Sequence, residues 1–305
     1  MRVFVTGATG FIGSAVIPEL IHAGHRVLGM ARSDAGAQAL EAAGAEVHRG
    51  ELEDLESLRS GAANADAVIH AAFNHDFSKF QENCEIDRRA IEALGDALAG
   101  SDKFLIVTSG TGLSGAGQGR AANENDPPVS SKVIPRGATE EAAAAVAARG
   151  VRVAVVRLPQ VHDTVKQGMV TYLVQAARAK GVSAYVGDGG NRWPAVHRLA
   201  AARLYRLALE KGEAGVKYHA VAEEGVRVRD IAETIGRGLK VPVVSLAREE
   251  AAGHFGWLAA FAGLDIPASS SQTREKLGWQ PSGPGLITDL ENMRYLPVGD
   301  PVATA

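Results

Sequence analysis

Residues 6–13 read Thr6-Gly7-Ala8-Thr9-Gly10-Phe11-Ile12-Gly13, directly after the apolar run Val3-Phe4-Val5 and before an amphipathic stretch at 12–22. A strand, a glycine turn and a helix in that order match the opening of a dinucleotide-binding βαβ unit. Gly7 permits the tight turn, Gly10 lets backbone approach a diphosphate, and Gly13 lets the helix pack closely on the strand. The helix start then offers free N–H groups and a positive dipole end to phosphate oxygens. An accidental glycine turn is the alternative, and the strand–turn–helix context weighs against it.

Working outward, short apolar runs alternate with longer helical patterns. Strands are expected at 3–5, 26–30, 46–48, 67–70, 104–108 and 152–157, and helices at 12–22, 35–43, 54–60, 80–99 and 137–148. Such alternation predicts an α/β fold, a Rossmann-type doubly wound parallel sheet with helices on both faces. Phe104-Leu-Ile-Val107 and Val153-Ala-Val-Val156 are continuous apolar runs, as strands buried on both faces require. Beyond Arg157 the pattern is irregular, with helices near 168–179, 199–209 and 228–239 and a glycine turn at Gly187-Asp-Gly-Gly190. This division predicts a dinucleotide-binding domain at 1–160. A smaller, mainly substrate-binding region follows at 161–305, with 191–220 returning to the sheet.

The 305 residues are 46% hydrophobic and 22% charged, values of a globular chain with a full core. A net charge of -3 gives no electrostatic case for nucleic acid or an anionic membrane. Every apolar stretch is far shorter than the ~20 residues of a spanning helix. The chain opens on a strand without the apolar core of a signal peptide, so a soluble cytoplasmic protein is expected. The single cysteine, Cys84, excludes an internal disulfide and reads as a helix-packing residue.

The likeness to a known superfamily runs along nearly the whole chain. The loop resembles T-G-x-x-G-x-x-G, and Gly50-Glu-Leu52 resembles an adenine-side G-D-L with Glu51 for Asp. Val68-Ile-His-Ala-Ala72 resembles a fourth-strand V-I-H-x-A, and Val107-Thr-Ser109 a fifth-strand end that carries a catalytic Ser. Leu277-Gly-Trp-Gln-Pro281 resembles a C-terminal L-G-W-x-P. Together these motifs resemble the extended and atypical short-chain dehydrogenase/reductase superfamily, of the NAD-dependent epimerase/dehydratase kind. The resemblance implies cofactor contacts from Thr6, Gly7, Thr9, Gly10, Phe11, Ile12 and Gly13. It implies others from Arg32, Ser33, Glu51, Leu52, Ala71, Ala72, Phe73, Thr108 and Pro159.

The second strand of such a unit ends in an acidic residue when the cofactor is NAD. That position here is Ala31, followed by Arg32 and Ser33. Loss of the carboxylate removes repulsion toward a 2′-phosphate, and a guanidinium beside it can bind phosphate in a bidentate way. NADPH is therefore favoured over NAD, with an ordinary surface arginine as the other reading of Arg32. Asp34 competes for the acidic role, but its place suits a helix cap better.

The superfamily's acid–base is a Tyr four residues before a Lys. The matching segment reads Arg136-Gly-Ala-Thr-Glu140, and no Tyr precedes Tyr172. Guanidinium does not deprotonate in proteins, so Arg136 cannot donate the proton. Glu140 can accept a ribose hydroxyl but supplies no positive charge. Substitutes are sought in Thr108 and Ser109, whose other reading is a strand-end cap, and in His75 of Asn74-His75-Asp76, whose other reading is a surface loop. His162, in Arg157-Leu-Pro-Gln-Val-His-Asp163, takes the Tyr place of R-P-x-x-V-Y-G and is the first substitute acid. In Trp193-Pro-Ala-Val-His197, which resembles W-x-x-V-H-V-x-D, His197 reads as a structural joint. Asn74, Tyr185 and Trp193 are candidate substrate contacts, with simple core packing the other reading of the aromatics. The histidines are too scattered for a metal site.

The resulting expectation is an NADPH-dependent reductase for a small carbonyl, imine or activated alkene, with the proton from His162, Ser109 or water. The alternative is a non-catalytic NADP(H)-binding redox sensor, and the third reading a nucleotide-sugar epimerase or dehydratase. A homodimer through the helices at 80–99 and 137–148 is a further expectation.

Overall fold

The computed structural model describes residues 1–115 and 119–293. Its first half supplies β1 (Arg2–Thr6), α1 (Gly13–His22), β2 (Arg26–Ala31), α2 (Asp34–Ala42), β3 (Glu46–Arg49) and α3 (Leu55–Ala63). There follow β4 (Ala67–His70), α4 (Phe80–Leu98), β5 (Phe104–Gly110), α5 (Ala138–Ala148) and β6 (Arg152–Leu158). The second half begins with β7 (Gln160–His162), α6 (Val170–Lys180), β8 (Ser183–Val186), β9 (Arg192–His197) and α7 (Arg198–Lys211). It continues through β10 (Lys217–His219), β11 (Glu223–Arg227), α8 (Val228–Leu239) and β12 (Val243–Leu246). Four short helices complete it: α9 (Ala251–Phe255), α10 (Ala259–Ala262), α11 (Ser271–Leu277) and α12 (Leu286–Glu291).

Seven parallel strands form the main sheet in the order β10-β6-β5-β4-β1-β2-β3. Strand alternation feeds two cores. Val3 and Val5 of β1 pack with α1, α2 and α7, whereas Phe4 packs with α3 and α4. Between β1 and β4 the order reverses, and the crevice at such a switch point is where doubly wound sheets take ligands. The glycine loop leaves β1 at that point.

A three-stranded sheet, β11-β9-β7, and a parallel pair, β12-β8, carry the smaller region. Its own core gathers Val170 and Leu173 of α6, Ile231 and Ile235 of α8, Leu286 of α12 and Trp193. The chain rejoins the main sheet through α7 and β10, while β9 stays in the small sheet. Leu277 and Trp279 also return to the dinucleotide side, where the Trp279 indole donates to Ala200 O at 3.0 Å. The last stretch of the expected second region, 294–305, lies outside the described residues. Cys84 is buried and its thiol is pushed up to about 11 by burial, so it packs as an inert side chain. Among the described residues no helix is long and apolar enough to cross a membrane.

Candidate functional site

Three constraints fix the phosphate loop. Gly7 has φ +66°, and a Cβ there would stand 2.7 Å from Ala72 N and 2.8 Å from Ala71 O. A Cβ on Gly13 would lie 2.0 Å from Gly7 O, so no side chain fits where the helix meets the turn. Gly10 N closes the turn by donating to Gly7 O at 3.0 Å. The Thr6 hydroxyl, expected at the cofactor, lies within 2.8 Å of His70 Nδ1 and accepts from Ala72 N at 3.4 Å, which ties the loop to the end of β4.

On the adenosine side Ala31 is buried, and Arg32 is exposed with no hydrogen bond or ion pair among the described residues. Ser33, rather than Asp34, caps α2: its hydroxyl accepts from Gly36 N at 3.1 Å. Asp34 instead pairs with Arg49 at 2.5 Å. The β2–β3 register sets Arg49 opposite Ala31, on the strand beside the one that leads to Arg32, a neighbour that sequence reasoning missed. Cross-strand register was the signal that would have found it. Glu51 is exposed, and Leu52 packs on the core beneath α3.

A buried polar chain runs from this loop toward the far end of the crevice. His70 Nε2 meets Asp87 Oδ1 at 3.0 Å, and Asp87 Oδ2 accepts from Arg136 Nη1 at 2.5 Å and from the Thr139 hydroxyl at 2.6 Å. Arg136 Nη1 also contacts Thr139, Nη2 donates to Thr108 O at 3.4 Å, and the guanidinium lies 4.0 Å from the centroid of the Phe73 ring. Burial alone would raise the Asp87 pKa. The Arg136 charge and the His70 hydrogen bond outweigh it and hold the carboxyl far below the ordinary range. Arg136 is thus a fixed cation on an aromatic face.

Glu140, one turn further on in α5, is closed off. Glu140 is buried and receives Arg157 in a bidentate pair, Nε to Oε1 and Nη2 to Oε2, both at 2.8 Å. Its Oε1 also accepts the Ser109 hydroxyl at 2.7 Å. The expectation that Glu140 could serve a ribose hydroxyl is therefore corrected, because its oxygens already face protein donors. Ser109 is 5% exposed and its hydroxyl donates to Glu140. Thr108 faces the opposite side of the sheet, with its hydroxyl 2.7 Å from the Tyr205 hydroxyl.

His162, expected as the substitute acid, is 0% exposed. Its Nδ1 lies 2.6 Å from Asp289 Oδ2 on α12, and its Nε2 3.8 Å from Glu223. Burial lowers its pKa against the opposing pull of Asp289. It joins the small sheet to α12, as does His197, whose ring lies 5.9 Å away. Two aromatic expectations also change. Trp193 is 0% exposed and donates its indole N–H to Leu264 O at 3.2 Å. Tyr185 packs beneath Arg229 on β8, in the small region's core. Pro159 is half-buried between β6 and β7.

Of the proposed acids, His75 alone remains at the surface. Partial desolvation of its ring by the surrounding groups lowers the pKa, as do the positive charges of Lys166 and Arg136. The ring stands edge-on to Phe73 at 5.3 Å and to Phe77 at 6.1 Å, next to exposed Asn74. Phe77 in turn stacks on Trp257 at 4.3 Å, and Tyr172 meets both edge-on. This aromatic wall links the β4 loop to α6 and to the turn after α9. Sequence reading missed all three of its members; a Trp following Gly256, without helical periodicity around it, was the available signal.

Residues 3–222 match the model of the NAD dependent epimerase/dehydratase family. An uncharacterized protein of Schizosaccharomyces pombe is 48% identical over 296 residues, covering 97% of this chain and 100% of that one. An uncharacterized protein of Saccharomyces cerevisiae is 47% identical over 293 residues, covering 95% and 98%. The crystal structure of a dTDP-glucose 4,6-dehydratase from Streptomyces venezuelae, with NAD bound, superposes with a TM-score of 0.75 at 20% identity, covering 96% of both chains.

Proposed function

The chain belongs to the NAD dependent epimerase/dehydratase family, and from that premise we propose that it is an NADPH-dependent reductase of a small carbonyl, imine or activated alkene. The observation that carries the reading is Arg136, braced by Asp87 and lying over Phe73, at the sequence position that the resemblance gives to the superfamily's proton donor. A guanidinium held rigidly in a partly desolvated crevice stabilises negative charge as it develops on a substrate oxygen. It does so without giving up a proton, which solvent or His75 then delivers.

The residues present fit a dinucleotide. The glycine positions admit no Cβ, Arg32 has no protein partner, and the buried Nε of Arg198 is a donor without a partner among the described residues. Backbone from Gly7 to Gly13 would hold the phosphates, Arg32 and Arg49 the adenosine phosphate, and Ala71 to Phe73 the length of the cofactor. The nicotinamide, when bound, supplies hydride. The aromatic wall of Phe77, Tyr172 and Trp257 excludes water on the side open to substrate.

Exchange of Arg136 for Gln together with Asp87→Asn, which avoids stranding a buried charge, should lower kcat by about 10²–10³-fold with NADPH affinity retained. Full turnover in that double variant would refute the role of Arg136. The engagement of Ser109, Glu140 and Arg157 with one another favours the redox-sensor reading as the second choice, since it leaves no internal proton donor there. NADPH binding with no oxidation across a carbonyl, imine and enone panel would move the assignment to it. An epimerase or dehydratase, the third reading, needs proton transfer at the position of Arg136.

A further inference from the structure

We propose that Lys166 and Arg198, both from the C-terminal half, form a cationic clamp on the cofactor diphosphate, facing the glycine loop. The inference rests on the dinucleotide reading above. Phe11 lies in the middle of that loop, and both cations hang over its ring: Lys166 Nζ is 5.8 Å and Arg198 Cζ 4.9 Å from the centroid.

The two side chains are built as one unit. Asp163 accepts Arg198 Nη1 at 3.1 Å through Oδ2. Its Oδ1 accepts the backbone N–H groups of Val165 at 2.7 Å and Lys166 at 2.9 Å. Asp163 N in turn donates to Lys166 O at 2.9 Å, closing a tight turn. Arg198 Nη2 donates to the Ser14 hydroxyl at 2.8 Å, in the first turn of α1. The turn carrying Lys166 is thereby pinned to the start of both α7 and α1.

Three features of this unit call for an anion. A cation pair beside the N-terminus of α1 opposes the helix dipole, an unfavourable placement that a bound anion reverses. The one carboxylate of the unit, Asp163, pairs with Arg198, and Lys166 is half-buried with no ion pair or side-chain hydrogen bond among the described residues. Arg198 Nε is buried without a partner, a donor left open next to a loop whose backbone is shaped for phosphate. A diphosphate supplies two negative charges and enough acceptor oxygens to meet all three. Arg198, flat and partly stacked, then binds geometrically, while Lys166 acts as a point charge.

The test measures the affinities of NADPH, NADH and adenosine 2′-monophosphate, which has the 2′-phosphate and nothing at the diphosphate position, by calorimetry on the full chain. Lys166→Ala should weaken NADPH and NADH alike by about tenfold, spare the monophosphate and reduce the salt sensitivity of binding. Lys166→Arg should restore most of the loss, and thermal unfolding of the Ala variant should match the wild type. Arg32→Ala, by contrast, should weaken NADPH and the monophosphate and spare NADH. Dinucleotide affinities of Lys166→Ala within about twofold of wild type would overturn the clamp alone. Equal losses for NADPH and the monophosphate would overturn its placement at the diphosphate. Wild-type protein that binds none of the three would overturn the dinucleotide reading, and the clamp with it.

Discussion

The two ends of the crevice are built on different principles. At the glycine-loop end the surface is backbone, and its requirements are written as missing side chains: Gly7 and Gly13 stand where a Cβ would strike main chain. At the end formed by β5 and α5 the surface is made of charged side chains, and nearly all of them already have partners. Arg157 holds Glu140, Glu140 holds Ser109, and Asp87 holds Arg136. A backbone site tolerates change in the residues around it, because its donors are peptide groups common to every residue except proline. A side-chain site can be rebuilt by a few substitutions. Here Arg136 and Glu140 are each held in an ion pair, with Asp87 and with Arg157.

That contrast can be broken most directly at Glu140. Glu140→Gln leaves Arg157, 0% exposed, without its carboxylate, and unfolding in urea should show a loss of about 3–5 kcal/mol. NADPH affinity of the folded variant should be unchanged. A stable variant that had lost turnover would instead make Glu140 catalytic and erase the difference between the ends. The glycine-loop end is sharpened by Arg32→Ala, whose exposed guanidinium has no hydrogen bond or ion pair among the described residues. Loss of a charge-assisted contact of about 1.5–3 kcal/mol should appear for NADPH and be absent for NADH. Equal losses would assign Arg32 to something other than the 2′-phosphate.

The smallest effect concerns Glu141, which steadies the segment leading to Arg136. Its carboxylate receives Arg88 first, then the backbone and hydroxyl of Ser131, and its pKa falls from 4.5 to about 2. A depressed folded-state pKa contributes stability that is present above 4.5 and is lost as the pH falls toward about 2. Acid unfolding of Glu141→Gln should therefore be flatter over that window, by a modest amount since the pair with Arg88 is partly exposed to solvent. An unaltered acid limb would assign the acid sensitivity elsewhere, with Asp87 the first alternative.

Local pattern carried most of the fold. The strand expected at 67–70 is β4 itself, and the helix at 228–239 is α8, because alternation and helical spacing are properties of neighbouring residues. The phosphate loop was legible for the same reason. Other positions were misread where a side chain's fate depends on distant partners. His162 looked like an acid from its neighbours, yet its partner Asp289 stands 127 residues away. Trp193 and Trp257 differ little as isolated letters; one lies in the core and the other is 42% exposed on the aromatic wall.

The sequence by itself determined the doubly wound sheet, the glycine loop, the absence of a Tyr–Lys pair and the placing of Ala31 and Arg32 after the second strand. Each is set by backbone conformation or by the residue's own chemistry, which need no knowledge of the rest of the chain. Tertiary structure alone decided which charges are free and which are paired. It gave Glu140 to Arg157, Asp87 to Arg136 and His162 to Asp289, and it brought Lys166 and Arg198 over Phe11 from the other half of the molecule. The physical reason is that Coulomb and hydrogen-bond energies depend on distance in space, and chain separation says nothing of that distance until the sheet has closed.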